Sequence, residues 1–153
     1  MGYFSSIINK IVEIAEADVL VNTVSMGSVE DIDLEKKNIY PLVHIDVEGG
    51  SFTNGQTVVL SLVIECVSIR DINKHELDTD KVYGNDNQVD NLDTCLTILN
   101  RIWKNFYRDF TGENLTANEN PNFTAITYDH TNLLDGWSLT IDIEVPDTDI
   151  ALC

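Results

Sequence analysis

The stretch Thr57-Val58-Val59-Leu60-Ser61-Leu62-Val63-Ile64-Glu65-Cys66-Val67-Ser68-Ile69 decides the fold. Val58, Leu60, Leu62, Ile64 and Cys66 alternate with Val59, Ser61, Val63, Glu65 and Val67. A period of two belongs to an extended strand, whose successive side chains point to opposite faces of a sheet. Because both rows are largely apolar, both faces need cover, and this strand is expected at the centre of the sheet. Just upstream, Tyr40-Pro41-Leu42-Val43-His44-Ile45-Asp46-Val47 predicts a second strand. Pro41 is best tolerated at its start or on a sheet edge, since proline cannot donate to a ladder. Gly49-Gly50 and Asn54-Gly55 bound the short link between the two, which reads as a hairpin connection.

Working outward, Phe4, Ile7, Ile8, Ile11, Val12, Ile14 and Ala15 recur at spacings of three and four and predict an amphipathic helix from Tyr3 to Glu16. Asp18 to Gly27 predicts a short extended segment, and Ser28 with Asp31 has the spacing of a capping box for one acidic helical turn. Downstream, Val89, Leu92, Leu96, Leu99, Trp103, Phe106 and Phe110 mark the longest helix, with Cys95 and Ile102 widening its stripe and Gly112 ending it. The two helices are expected to meet the sheet through Ile7, Ile11, Leu92, Leu96, Leu99 and Trp103. Phe123 to His130 alternates again, Asp135-Gly136 reads as a turn, and Trp137, Leu139, Ile141, Ile143 and Val145 form one row of a last strand that Pro146 stops. The order helix, strands, helix, strands implies an α+β fold, an antiparallel sheet packed against two amphipathic helices. With 153 residues and no internal repeat or low-complexity linker, residues 1–153 are expected to form one domain.

Twenty-six acidic residues against nine basic ones give a net charge of -17, a field that opposes direct binding to nucleic-acid phosphates. Mean hydropathy is -0.07, and no apolar run approaches the roughly 20 residues of a bilayer span, so no membrane role is expected. Met1-Gly2-Tyr3-Phe4-Ser5-Ser6 lacks the basic region and cleavage site of a secretory signal, which points to folding in a reducing cytosol. The three cysteines have no short-range pairing of the kind that makes a zinc site or disulfide framework, and Cys66 and Cys95 read as small core residues. His44 and His130 stand in predicted strands close to aspartates and would form a metal site only if those strands met. Asp78-Thr79-Asp80 and Asn85-Asp86-Asn87 offer oxygen ligands without the ordered spacing of a calcium loop. No Gly-x-Ser-x-Gly elbow or phosphate-cradling glycine loop occurs. No catalytic residue, cofactor or metal ligand is therefore expected. Trp103, Phe106, Tyr107 and Phe110 read as core, flanked by Arg101, Lys104 and Arg108.

The polar stretch from Arg70 to Asn91 is too long for a plain connection and reads as an exposed loop. Its apolar residues Ile72, Leu77, Val82 and Tyr83 are more than a merely solvated loop requires, so they are the candidate subunit-contact residues.

The order of elements, with Tyr40-Pro41-Leu42-Val43-His44-Ile45 after the acidic turn and Leu133-Leu134-Asp135-Gly136-Trp137-Ser138 heading the final Ile-Asp-Ile-Glu-Val-Pro strand, resembles the tail-terminator and neck-ring proteins of tailed bacteriophages. That group includes ring proteins of crAss-like phages of Bacteroides. The resemblance runs from the first helix to Pro146. It implies a non-enzymatic virion protein of the neck or tail, made in the host bacterial cytoplasm. Six or twelve subunits would form a ring beside other neck, tail or portal proteins, and DNA would pass through without specific binding. Two other readings stay open: an acidic inhibitor that mimics DNA, and a small metal-dependent enzyme built on His44 and His130.

Overall fold

Periodic apolar residues lay down two helices, and alternating ones lay down the sheet between and after them. The computed structural model describes residues 3–28, 39–54, 57–70, 87–110, 115–127 and 133–146. In chain order the elements are α1 (Tyr3–Ala17), β1 (Thr23–Met26), β2 (Leu42–Thr53), β3 (Thr57–Ile69), α2 (Gln88–Phe110), β4 (Thr116–Ala117), β5 (Phe123–Thr127) and β6 (Leu134–Pro146). The protein is a mixed α+β fold with a six-stranded, mostly antiparallel sheet in the order β1-β2-β3-β6-β4, and β5 also pairs with β6. As its two apolar rows require, β3 lies inside the sheet, with antiparallel ladders to β2 and β6.

Four sequence expectations change here. The sheet is not antiparallel throughout: β1 pairs with β2 in parallel, Thr23 opposite Leu42 and Met26 opposite Ile45. Residues 27–41 are long enough to carry the chain back to the end from which it started, as a parallel pair requires. Gly49-Gly50 does not bound the hairpin link but lies inside β2, whose ladder runs on to Thr53 opposite Thr57 with a register shift between Val47 and Gly49. Beyond that shift a Cβ on Gly50 would stand 2.5 Å from the Val59 carbonyl oxygen, so glycine there marks a close backbone approach.

Asp135-Gly136 is not a turn but part of β6, with Asp135 opposite Ser68 and Gly136 opposite Val67. Finally, the predicted loop over 70–91 ends sooner, because α2 begins at Gln88 and the Asn91 amide donates to the Asn87 carbonyl at 2.9 Å. The predicted acidic turn over 28–37 falls almost wholly outside the described residues, as does the end of the alternating segment at 128–130.

The main core lies between the helices and one face of the sheet. Ile7, Ile11 and Ala15 of α1 and Ile98, Ile102 and Phe106 of α2 are fully buried against Val43, Leu62, Ile64, Ile141 and their neighbours. Complete burial of such side chains stabilises by about 1.5–3 kcal/mol each. The core row of α2 is therefore Cys95, Ile98, Leu99, Ile102 and Phe106, while the predicted Leu92, Leu96 and Trp103 are only partly buried. The cause is α1: α2 packs against both the sheet and α1, which turns the Ile98–Ile102 row inward and leaves the Leu96–Trp103 row toward β5. In β6 the expected alternation holds, with Leu139, Ile141, Ile143 and Val145 buried and Asp142 and Glu144 exposed. Leu42, Val67, Ile126 and Leu134 form a smaller cluster with Tyr40. Leu42 and Val67 alternate with core residues Val43 and Cys66, which places that cluster on the opposite face. Among the described residues no helix is long and apolar enough to cross a membrane.

Candidate functional site

The buried polar groups come first, because chemistry would start from them. Ser25 stands opposite His44 in the β1–β2 ladder, and its Oγ lies 2.7 Å from His44 Nδ1. His44 Nε2 lies 3.0 Å from the Gly27 carbonyl oxygen. A carbonyl only accepts, so Nε2 carries the proton and Nδ1 accepts from the Ser25 hydroxyl. With its ring fully buried and both nitrogens engaged, His44 fastens β1 and the chain after it onto β2. Arg70 and Asp135 form a second buried unit: Nε donates to Oδ2 at 2.6 Å and Nη2 to Oδ1. This two-pronged pairing is shut away from water and joins the end of β3 to the start of β6.

Cys66 on β3 and Cys95 on α2 are buried free thiols. Donation from the Cys66 S–H to the Cys95 sulfur, reinforced by burial, holds the Cys66 thiol well above its ordinary value of 9.0. The thiolate is the reactive form of cysteine, so this environment disfavours a nucleophile. It also sets a pH dependence. A folded-state value above the unfolded one contributes stability that is fully present below the unfolded value and is lost as pH rises past it. The urea midpoint is therefore expected to hold near pH 8 and to fall above about pH 9. Cys66→Val should show a smaller alkaline fall, and equal falls in both proteins would contradict the assignment.

Two grooves flank α2. The first, about 520 Å³, is lined by Leu96, Leu99 and Trp103 of α2 together with Pro121, Phe123 and Leu139. Phe123 is half exposed and packs edge-on against Trp137 with ring centroids 5.3 Å apart. Trp137 is itself held by an Nε1–H bond of 2.8 Å to the Leu92 carbonyl. This groove carries one ionisable lining residue, Glu119, and suits an apolar side chain better than a reaction. The second, about 510 Å³, lies between α1 and α2 and is lined by Lys10, Arg101 and Arg108 as well as Glu13, Asp18 and Asp109. Arg101 Nε pairs with Asp18 Oδ2 at 3.0 Å, and Arg108 Nε with Asp109 Oδ1 at 3.1 Å.

The cations are unevenly placed, although the helices that carry them also expose Glu13, Glu16, Asp90, Asp93 and Asp109. Among the described residues the cations that reach solvent, Lys10, Arg101, Lys104 and Arg108, all lie on the helix layer, and Arg70 is buried. Arg101, Lys104 and Arg108 follow the three-and-four spacing of one helix face. At the other side of the molecule, β1 pairs only with residues 42–45 of β2. From Asp46 to Thr53 the outer edge of β2 has no strand partner among the described residues, and this arm carries Asp46 and Glu48 with Val47 43% and Phe52 83% exposed.

The predicted contact residues Ile72, Leu77, Val82 and Tyr83 lie outside the described residues, as do His75 and His130. The arm and the first groove are surfaces that the sequence reading passed over. Their signal was an aromatic residue isolated in polar surroundings, Phe52 within Gly50-Ser51-Phe52-Thr53-Asn54 and Phe123 within Asn120-Pro121-Asn122-Phe123-Thr124. Among the described residues no group of three or more His, Cys, Asp or Glu side chains is arranged to hold a metal. No protein-family model matches the chain, and no curated protein matches it.

Proposed function

We propose that the protein is a structural, non-enzymatic ring component of the neck or tail of a tailed bacteriophage, similar to a tail terminator. It would be made in the bacterial cytoplasm and reside in the virion. Six or twelve copies would surround the DNA channel beside neck, tail or portal proteins. The observation that carries this reading is the presence on one chain of two unlike surfaces, an acidic open-edged arm and a cation-bearing helix layer. Unlike surfaces join copies head to tail, and such joints close into rings when the rotation per subunit allows it. The excess of acid supports the same reading, since a negative lumen lets DNA slide without adhering. The two segments that carry the phage resemblance also pack together, with Tyr40 and Leu42 of one and Leu134 of the other sharing a cluster. A DNA mimic is less well supported, because Arg101, Lys104 and Arg108 interrupt the acidic surface on the longest helix.

The test is electron microscopy of the purified full-length chain together with its mass by light scattering. Closed rings of six or twelve subunits are the expected result. A mass of one subunit at every concentration would remove the reading.

A further inference from the structure

We propose that the β2 arm of one copy docks on the α2 face of the next, with Phe52 entering the groove of Leu96, Trp103 and Phe123 and Glu48 meeting Lys104. The inference rests on the ring reading and names its subunit contact.

Charge selects the occupant. Two copies of net charge -17 repel over most orientations. An acidic arm meets attraction on another copy where cations reach solvent, and among the described residues those cations are confined to the helix layer. Arg108 lines the other groove, between α1 and α2, beside Asp109. Lys104 is exposed on α2 between the two grooves.

Spacing agrees with charge. Phe52 and Glu48 are four residues apart across the register shift, at most about 13 Å at roughly 3.3 Å per residue. The middle of the groove lies at Leu99 and Asn100. Lys104 lies four to five helical residues further along, about 7 Å at roughly 1.5 Å per residue, and its long side chain extends that reach. A phenyl ring seated in the groove therefore leaves Glu48 within reach of the Lys104 ammonium. The open arm supplies the large apolar side chain, and the groove supplies apolar walls that are otherwise wet. Because the arm and the groove are different patches, each bound copy still offers one of each to a further copy.

The experiment uses the full-length chain and three variants, Phe52→Ser, Glu48→Lys and Lys104→Glu, with the Glu48→Lys/Lys104→Glu pair as the rescue. All three positions are exposed, so unchanged thermal melts serve as the folding control. Assembly is read by sedimentation velocity and electron microscopy near physiological ionic strength, where the Debye length of about 8 Å damps long-range repulsion more than a contact pair. Each single variant is expected to weaken self-association about tenfold or more, and the charge-swapped pair to recover most of the loss. Wild-type rings with all variants assembling equally would overturn the docking and leave the ring reading standing. Open filaments or dimers that the same variants abolish would keep the docking and overturn the closed ring. A wild-type chain still monomeric at about 1 mM would overturn both.

Discussion

Gly136→Ala is expected to abolish the native sheet. Gly136 is buried in β6 opposite Val67, and a Cβ built on it would lie 1.8 Å from the Cys66 carbonyl oxygen and 2.8 Å from the Val67 Cα. Both obstacles are backbone of the central strand, so no side-chain rotation can make room. The methyl group fits only if β3 and β6 separate, and their ladder, from Thr57 opposite Pro146 to Ile69 opposite Leu134, is the longest among the described residues. Destabilisation above about 4 kcal/mol follows, in the range reserved for mutations with a specific structural cause. Gly49→Ala is the informative contrast. Gly49 has φ of 153° but open space around the site of a Cβ, so its substitution carries backbone strain without a clash. A cost of about 1–2 kcal/mol is expected there. Circular dichroism and urea unfolding should show a folded but weakened Gly49→Ala and little native protein for Gly136→Ala. Equal midpoints for Gly136→Ala and the wild type would mean that the two strands are further apart than this geometry requires.

That glycine also shows where local sequence reading stops. Asp-Gly is a turn signal when the chain around it is free to reverse, but here the aspartate faces a buried arginine that lies 65 positions earlier in the chain. The glycine answers to a carbonyl on another strand. Both requirements are non-local, so no window along the chain contains them. Periodicity, by contrast, is local, and it made α1, α2, β3 and β6 legible to within a few residues. The inward row of α2 was misplaced because Leu96 and Ile98 are equally apolar, and only the position of α1 decides between them. The parallel pairing of β1 with β2 joins residues that are far apart in sequence, a choice that hydropathy does not encode. Of the candidate site, the flanking cations Arg101, Lys104 and Arg108 were legible as a helix face. The groove depends on Phe123 and Leu139 arriving from distant strands.

Asp135→Ala is expected to cost about 3–5 kcal/mol, the range for removing one partner of a buried ion pair. The side chains of Arg70 and Asp135 retain 1% and 0% of their exposure, so water cannot take over the role of the carboxylate. The arginine would lose the bonds at both Nε and Nη2, and a guanidinium cannot shed its charge to escape the apolar surroundings. Replacing both groups by apolar residues of similar volume, Arg70→Met with Asp135→Leu, should recover much of the loss, because neither charge then has to be desolvated. Urea midpoints of the two single variants and the double variant complete the cycle and isolate the coupling. A cost below about 1 kcal/mol for Asp135→Ala would place the pair among solvated surface bridges. The pair also bears on register. The Arg70 amide donates to the Leu133 carbonyl at 3.0 Å, immediately before β6, so side chain and backbone hold the same two chain ends together. A slip of one residue in β6 would send Asp135 to the opposite face of the sheet, away from Arg70, and carry Leu139, Ile141 and Ile143 out of the core with it. The apolar double variant should consequently regain stability while defining the β3–β6 register less sharply, which hydrogen exchange of the β6 amides would detect as exchange faster than its urea midpoint accounts for.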